Sequence, residues 1–386
     1  MESYTQLKHL GYSKSGFWKA YEEKPKTSNS KKVVAYYLPQ FHTIPENDHH
    51  WGKGFTEWRN VSRALPIFEG HYQPRYPADL GYYDLTTPGV IEQQAALARN
   101  YGIHGWAMYY YWFDSQKLLS KPIEIIYKNP EIDINYCVFW ANENWTRNWD
   151  GQSSDVIISQ KHSPEDDIRF IAEISKYFSD PRYIRYQGQP VLMIYRPNLF
   201  PNILHTIERW KNWCSIHSIP LPYLINSEVF NSDLPKNIGF DASAEFPIHA
   251  SRSFNQEKLR QITGEFNLYD SQRSFKCLTY ESCVNAWSTN EKIALEQKLF
   301  KCVFPDWDNS SRRFNVESTI IYGSTPSLYE KWLSFCIKNA EQDDFIFINA
   351  WNEWAEGAYL EPDLFHGHAY LEATWRAIHL NENDGN

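Results

Sequence analysis

Two short words in this 386-residue chain, WANENW at 140–145 and WNEWAEG at 351–357, set carboxyl groups beside amides and indoles, and a third, AEF at 244–246, sets one beside a phenyl ring. They offer Glu143, Glu245, Glu353 and Glu356 as candidates. Two carboxyls together can divide proton work: one protonates a leaving oxygen, the other serves as base, nucleophile or charge stabiliser. Making or breaking a glycosidic bond needs that division. An Asn-Glu pair occurs twice, as Asn142-Glu143 and Asn352-Glu353, and a neighbouring amide can bond a hydroxyl and orient a ring. Glu353 and Glu356 would face opposite ways on a continuing strand but converge if the chain turns helically after Trp351. The turn is the expectation, with Glu143 or another acid nearby raising one pKa so that this group stays protonated as the acid.

Groups this far apart in sequence need a scaffold that gathers them. Eight apolar runs rich in Val, Ile, Tyr and Phe cover residues 33–41, 105–113, 134–142, 190–197, 222–229, 241–248, 302–309 and 345–354. Segments of helical periodicity separate them, the pattern of a parallel α/β fold. Eight such strands close a single (β/α)8 TIM barrel with long βα loops, whose chemistry sits at the C-terminal strand ends. Read there, the runs end in Gln40 and His42; Tyr111 and Trp112; Trp140, Asn142 and Glu143; Arg196; Asn226 and Glu228; Glu245; Asp306 and Asp308; and Asn352, Glu353 and Glu356. Glu353 and Glu356 are the expected catalytic pair. Gln40, His42, Tyr111, Trp112, Trp140, Asn142, Glu143, Trp145, Arg196, Asn226, Glu245, Asp308 and Asn352 are the expected substrate-binding set. Strand ends turn polar for structural reasons too, but a whole face of Glu, Asp, Asn and Trp describes a polyol pocket.

The helices are legible in places. Ser163 caps a helix with Pro164 at its first position, and Ile168, Ile171, Ile174 and Phe178 follow near a 3.6 period, leaving Asp166, Asp167 and Lys176 outward. Ile203, Ile207, Trp210 and Cys214 form a second stripe, and Leu328, Trp332, Phe335 and Cys336 a third, so Trp210 and Trp332 read as core. The loop from His42 to Pro88 is long for a βα connection, and its Trp51, Phe55, Trp58, His71 and Tyr72 predict an ordered one. Residues 1–30 read as a polar N-terminal tail, 31–380 as the barrel and 381–386 as a loose C-terminal tail.

Composition narrows the ligand. A net charge of -9 argues against nucleic acid or an anionic membrane surface, which would require concentrated Lys and Arg. Aromatic residues make up 17% of the chain, with 16 Trp and 26 Tyr, and flat aromatic faces suit the C–H faces of sugar rings. An oligosaccharide or polysaccharide is the expected partner. No apolar run is long enough for a transmembrane segment, and the N-terminus has no apolar signal region, so the expected location is cytoplasmic. The six cysteines contain no C-x-x-C pair, so neither a disulfide framework nor a zinc site is expected. Asp48, His49 and His50 are adjacent, and neighbours seldom all face one ion. No cofactor and no metal are expected.

The words GFTEWRNV (54–61), HYQPRYPADLGYYDL (71–85), FWANENWTRNWDG (139–151) and INAWNEWAEGAYLEPD (348–363) closely resemble the WbsX family, found among bacterial O-antigen and surface-polysaccharide genes. The resemblance runs from about residue 31 to 376. That family is in turn similar to glycoside hydrolase family 99, the endo-α-mannosidases, chiefly in W-N-E-W-x-E-G. The resemblance implies the (β/α)8 fold. It also implies that Glu353 assists attack by the substrate's own 2-hydroxyl and that Glu356 is the general acid/base. Where the mannosidases usually carry His between the two glutamates, this chain has Ala355.

Two enzyme readings follow. One is a retaining glycosidase or transglycosidase acting on a bacterial surface polysaccharide. The other is a WbsX-type glycosyltransferase using an activated sugar, with Arg147, Arg196, Arg312 and Arg313 available to a diphosphate. The first is preferred: the chain has no Gly-rich phosphate loop, and Asp308 of Asp306-Trp307-Asp308 reads as a hydroxyl ligand rather than part of a metal site. A third reading, an inactive sugar-binding module, would be marked by a lost carboxyl, and both glutamates are present.

Overall fold

The computed structural model describes residues 13–25, 31–147, 152–229, 235–249, 259–262, 266–288 and 298–383. Eight parallel strands follow one another around a closed barrel: β1 (Lys32–Tyr37), β2 (Gly105–Phe113), β3 (Asn135–Trp140), β4 (Gln189–Ile194), β5 (Tyr223–Glu228), β6 (Ala242–Glu245), β7 (Lys298–Val303) and β8 (Phe345–Ile348). The pairing of β1 with both β8 and β2 closes it. Helices include α1 (Val90–Asn100), α2 (Lys121–Lys128), α3 (Pro164–Ser175), α4 (Ile203–Ile216), α5 (Tyr280–Trp287), α6 (Pro326–Asn339) and α7 (Ala369–Asn383). Two of the apolar runs continue well past their strands into other structure. Only Cys302 and Val303 of the run 302–309 belong to β7, because the strand begins at Lys298. Farther on, Trp307–Asp308 leave the barrel for a side sheet with Ser318–Tyr322 and Phe275–Thr279. Likewise β8 ends at Ile348, and Asn352–Glu353 form one arm of a hairpin with Ala358–Tyr359.

Strand period two decides which aromatic residues enter the barrel. Tyr36 meets Tyr109 at 6.2 Å, Phe139 at 5.1 Å, Phe246 at 5.4 Å and Phe347 at 5.4 Å between ring centroids. These rings come from five different strands or strand ends, so they face one interior. Their neighbours in sequence face the helices. Trp140 is fully buried and stacked on Phe170 of α3 at 3.8 Å, and Trp112 donates its indole N–H to the Asp166 carboxylate at 3.0 and 3.1 Å. Both had been expected at the pocket; alternation turns them away from it.

The same contact corrects the outward placement of Asp166 and Asp167, which are 1% and 2% exposed. Ser163 does cap α3, accepting from the Asp166 N–H. The two acids in that first turn then receive Trp112 and, from α4, Thr206 Oγ1 at 2.8 Å and Arg209 Nη2 at 2.6 Å. A helix N-terminus favours negative charge there. Lys176 is half-buried and pairs with Glu173. The stripes on α4 and α6 are core as expected, with Trp210 and Trp332 fully buried.

The ends are tied down where tails were expected. Lys19 bridges to Gly367, and Lys24 pairs with Glu372 of α7 at 2.6 Å. Residues 381–383 continue α7, while 1–12, 26–30 and 384–386 lie outside the described residues. The loop after β1 is ordered: it carries short helices at Pro45–Trp51 and Trp58–Ser62, and Trp58 packs 4.5 Å from Phe41 and 5.6 Å from Trp354.

Trp140→Ala should open a cavity between β3 and α3 and lower stability by about 3–5 kcal/mol. Trp145→Ala, at a half-exposed position, should shift the urea midpoint far less. Equal shifts for the two would refute the assignment of Trp140 to the core.

Candidate active site

The chain leaves β8 and clamps itself to β1. Asn352 accepts the Leu38 N–H at 2.7 Å and donates to the Leu38 carbonyl at 3.0 Å. Asn142 treats Arg196 in the same way, accepting its N–H at 2.7 Å and donating to its carbonyl at 2.8 Å. The asparagine of each Asn-Glu pair therefore extends a strand pairing past the end of the sheet. Both amides had been expected on sugar hydroxyls; both are occupied by backbone.

Beyond Asn352 the expected turn is present in a tight form. Trp354–Glu356 make a 3-10 turn with Glu353 at its N-cap and Gly357 at φ +66° closing it. Three residues per turn place positions i and i+3 on one face, so Glu353 and Glu356 share a side while Trp354 and Ala355 are buried on the other. Gly357 is required twice over: its φ is left-handed, and a Cβ there would lie 3.0 Å from both Arg75 Nη2 and the Asp308 backbone nitrogen.

Both glutamates bind one guanidinium. Arg312, from the loop after β7, donates from Nη2 to Glu353 Oε2 at 3.0 Å and from Nη1 to Glu356 Oε1 at 2.6 Å. Nη2 and Nε also reach Glu57 Oε2 at 3.1 and 3.2 Å. Glu57 is fully buried in the loop after β1. Burial pushes the Glu353 carboxyl up to about 8, with Arg312 opposing and the charges of Glu356 and Glu57 adding to the rise. Burial also raises Glu57 against the pull of Arg312.

These glutamates open into a cavity of about 210 Å³ at the C-terminal end of the barrel. Its walls are Gln40, Tyr109, Tyr111, Phe113, Ala141, Glu143, Asn144, Trp145, Thr146, Tyr195, Phe246, His249, Glu353 and Glu356. Trp145 lies near-parallel to Tyr111 at 5.5 Å and to Phe113 at 6.1 Å, making an aromatic wall of the same cavity. Gln40 donates to the Tyr111 hydroxyl at 2.8 Å. Glu143 pairs with Arg196 at 2.7 Å; burial raises its carboxyl while Arg196 opposes. Burial holds His249 down at about 4, so it faces the cavity neutral.

The structure thus gathers Gln40, Tyr111, Glu143, Trp145, Glu353 and Glu356, with Arg196 behind Glu143. It sets the others apart. His42 is buried, and its lowered pKa reflects that burial; it is not a cavity wall. Asn226 accepts the Ser243 hydroxyl at 2.9 Å. Glu245 lies on the face opposite Phe246 and pairs with Lys301 at 2.7 Å. Asp308 accepts from His71 Nε2 at 2.8 Å and Gln73 Nε2 at 2.6 Å, and against its burial His71 and Arg75 hold its carboxyl well below the usual range. Arg75 also binds Asp306 at 2.8 Å. Both acids of Asp306-Trp307-Asp308 are therefore engaged by side chains that support the Gly357 turn. Among the described residues no cluster of His, Cys, Asp or Glu is arranged to hold a metal.

Sequence reasoning did not pick out Arg312 as a partner of the glutamates, nor Glu57, Tyr109, Tyr195, Phe246 or His249. Parity with Tyr111 marks Tyr109, and the word GFTEWRNV contains Glu57. Arg312 and His249 carry no comparable mark, since each sits in a loop whose course only the fold reveals.

Residues 33–374 match the family described as "Glycosyltransferase WbsX". The "Uncharacterized protein WxcX" of Xanthomonas campestris pv. campestris is 43% identical over 351 residues, covering 90% of this chain and 49% of that protein. The chain thus spans about half the length of the curated relatives it matches. Among solved structures, a "Glycoside hydrolase-like protein" matches at TM-score 0.57 and 13% identity, over 94% of this chain and 98% of that one. The GH99 endo-alpha-mannosidase from Bacteroides thetaiotaomicron matches at TM-score 0.57 and 15% identity, over 93% and 99%. At these identities the likeness is one of fold. No described helix is long and apolar enough to cross a membrane.

The raised Glu353 carboxyl links stability to pH. Its folded value, about 8, lies above the ordinary 4.5, so the folded state holds the proton more tightly than the unfolded state. That stabilisation is complete below about pH 4.5 and is lost as pH rises through 8. Glu353→Gln should therefore raise the melting temperature relative to wild type, by an amount that grows between pH 5 and 9. A pH-independent difference would place an ordinary carboxylate at this position.

Proposed function

We propose, for a chain that belongs to the glycosyltransferase WbsX family, that it is a carbohydrate-active enzyme cleaving or transferring a glycosidic bond of a bacterial surface polysaccharide. The observation that carries this reading is the pair Glu353 and Glu356, fixed on one face of a 3-10 turn and open to one cavity that an aromatic wall also lines. Two carboxyls joined by one guanidinium have the composition that acid/base work at a glycosidic oxygen requires. Tyr111, Phe113 and Trp145 offer flat apolar surface to a sugar ring. The fold shared with an endo-alpha-mannosidase of family GH99 adds support.

In this reading Glu353 accepts the proton of the sugar's own 2-hydroxyl as that oxygen attacks the anomeric carbon, and Glu356 protonates the departing oxygen. Water, or an acceptor hydroxyl in transfer, then opens the resulting internal ether, with the two protons returned. No bond from either glutamate to carbon is needed. Glu353 is the more buried of the two, with 6% of its side chain exposed against 22% for Glu356, and that burial raises its carboxyl to about 8. A sugar hydroxyl donated to Glu353 favours its carboxylate, the form that accepts the proton.

The family's description favours a second reading, transfer from an activated sugar. A nucleotide diphosphate would draw on arginines, yet Arg196 and Arg312 are each bound to glutamates. The glycosidase or transglycosidase reading is therefore preferred. Incubation with O-antigen-type oligosaccharides, with and without nucleotide sugars, and product analysis by mass discriminates the two. Consumption only in the presence of a nucleotide sugar would reverse the preference.

Glu356→Gln should cut kcat by 100-fold or more, on the order of general-acid contributions, and much less with a leaving group that needs no proton. Glu353→Gln should stay slow with every leaving group. Near-normal turnover in both folded variants would move the assignment to Glu143.

A further inference from the structure

Glu57 is a titratable group of the site that does not line the cavity. It is fully buried behind Arg312, at the head of the short helix Trp58–Ser62. Its Oε2 takes two of the guanidinium's donors, Nε at 3.2 Å and Nη2 at 3.1 Å, and Nη2 is also the nitrogen that serves Glu353 at 3.0 Å. The two hydrogens of Nη2 are thus divided between Glu57 and Glu353, and one cation serves both. The count of charge sharpens the point: Glu57, Glu353 and Glu356 surround a single cation. With all three ionised the cluster would carry a net charge of about -2 in a desolvated place, which favours retention of a proton.

We propose that Glu57 is a positioning residue that sets the protonation of the Glu353 and Glu356 pair by dividing the charge of Arg312. The inference rests on the reading of those two glutamates as the reacting acids. Glu57 orients the planar guanidinium through two donors and draws part of its charge away from the cavity, so the pair in front keeps a proton that an undivided Arg312 would expel. The other groups facing Glu353 do not supply this control. Tyr109 and Tyr111 from β2 and Tyr195 after β4 are phenols whose ionisation burial pushes well up. His249, across the cavity, is neutral. Asn60 beside Glu57 carries no charge.

The test is Glu57→Gln, which keeps the shape and one acceptor oxygen while removing the charge. The titration of the pair is followed by the protonated-carboxyl stretch in the infrared, identified by its loss in Glu353→Gln. This readout needs no turnover. The midpoint should fall by about one pH unit or more in Glu57→Gln, the scale of one nearby charge, and the basic limb of kcat/KM should move with it. Arg312→Lys provides the opposite arm: an ammonium lacks the fork that reaches three carboxylates, so the midpoint should rise, and this holds whether or not Glu57→Gln folds. An unmoved midpoint in folded Glu57→Gln or in Arg312→Lys overturns the proposal, as does a rate loss equal at every pH. If the midpoint moves but wild-type protein processes no glycoside, the functional reading fails and the control by Glu57 stands. If glycoside is processed and the midpoint does not move, only the role of Glu57 fails.

Discussion

One guanidinium among three carboxylates is the interaction around which the C-terminal end of this barrel is organised. Glu57 comes from the loop after β1, Arg312 from the loop after β7, and Glu353 and Glu356 from the hairpin after β8. These loops meet through that cation, through the packing of Trp58 on Trp354 at 5.6 Å and the bond from Ser311 Oγ to the Ala355 carbonyl at 2.6 Å, and through the polar network beneath. Burying charge is costly unless it is paired and hydrogen-bonded, and Arg312 satisfies the pairing with few donors to spare. Replacing Arg312 by an apolar residue would leave three uncompensated acids in a dry place, so the site and the local fold would fail together.

Beneath the cluster lies a second network that holds Arg312's surroundings in register. Arg75 joins Asp306 to the underside of Gly357, while His71 and Gln73 fix Asp308. The Ile67 N–H donates to His71 Nδ1 at 3.0 Å, so the proton on His71 sits at Nε2 and points at Asp308. Gly357 has no room for a Cβ beside Arg75, and the turn it closes sets Glu356 2.6 Å from Arg312.

The barrel was legible because eight apolar runs separated by helical segments admit few other folds, and the glutamate pair was legible because the strand-end rule points to residues just past the sheet. Details failed where a run of one character spans two structural fates. Trp112 and Trp140 stand beside cavity residues in sequence and on the opposite side of the strand in space, and no composition argument distinguishes odd from even positions without a known register. Asn142 and Asn352 were correctly paired as a repeated feature, but their chemistry is structural: each mimics one more ladder step between adjacent strands. Glu57 and Arg312 lay beyond reach for another reason. Their meeting depends on loops 255 residues apart in sequence, and neither position ends a strand.

What makes the two glutamates converge is the residue between them. Trp354 is fully buried, stacks on Tyr359 at 3.8 Å and donates its indole N–H to Glu361 Oε2 at 2.7 Å. Glu361 in turn receives Tyr83 at 2.8 Å and Gln94 at 2.6 Å, and burial pushes its carboxyl up to about 7. Those donors come from the loop after β1 and from α1, so the indole is anchored by elements outside its own hairpin. Because Trp354 must point inward to reach Glu361, a turn of three residues per repeat leaves the cavity side to the residues before and two after it. Glu353 and Glu356 occupy those places, and their common direction is a consequence of where a tryptophan is buried.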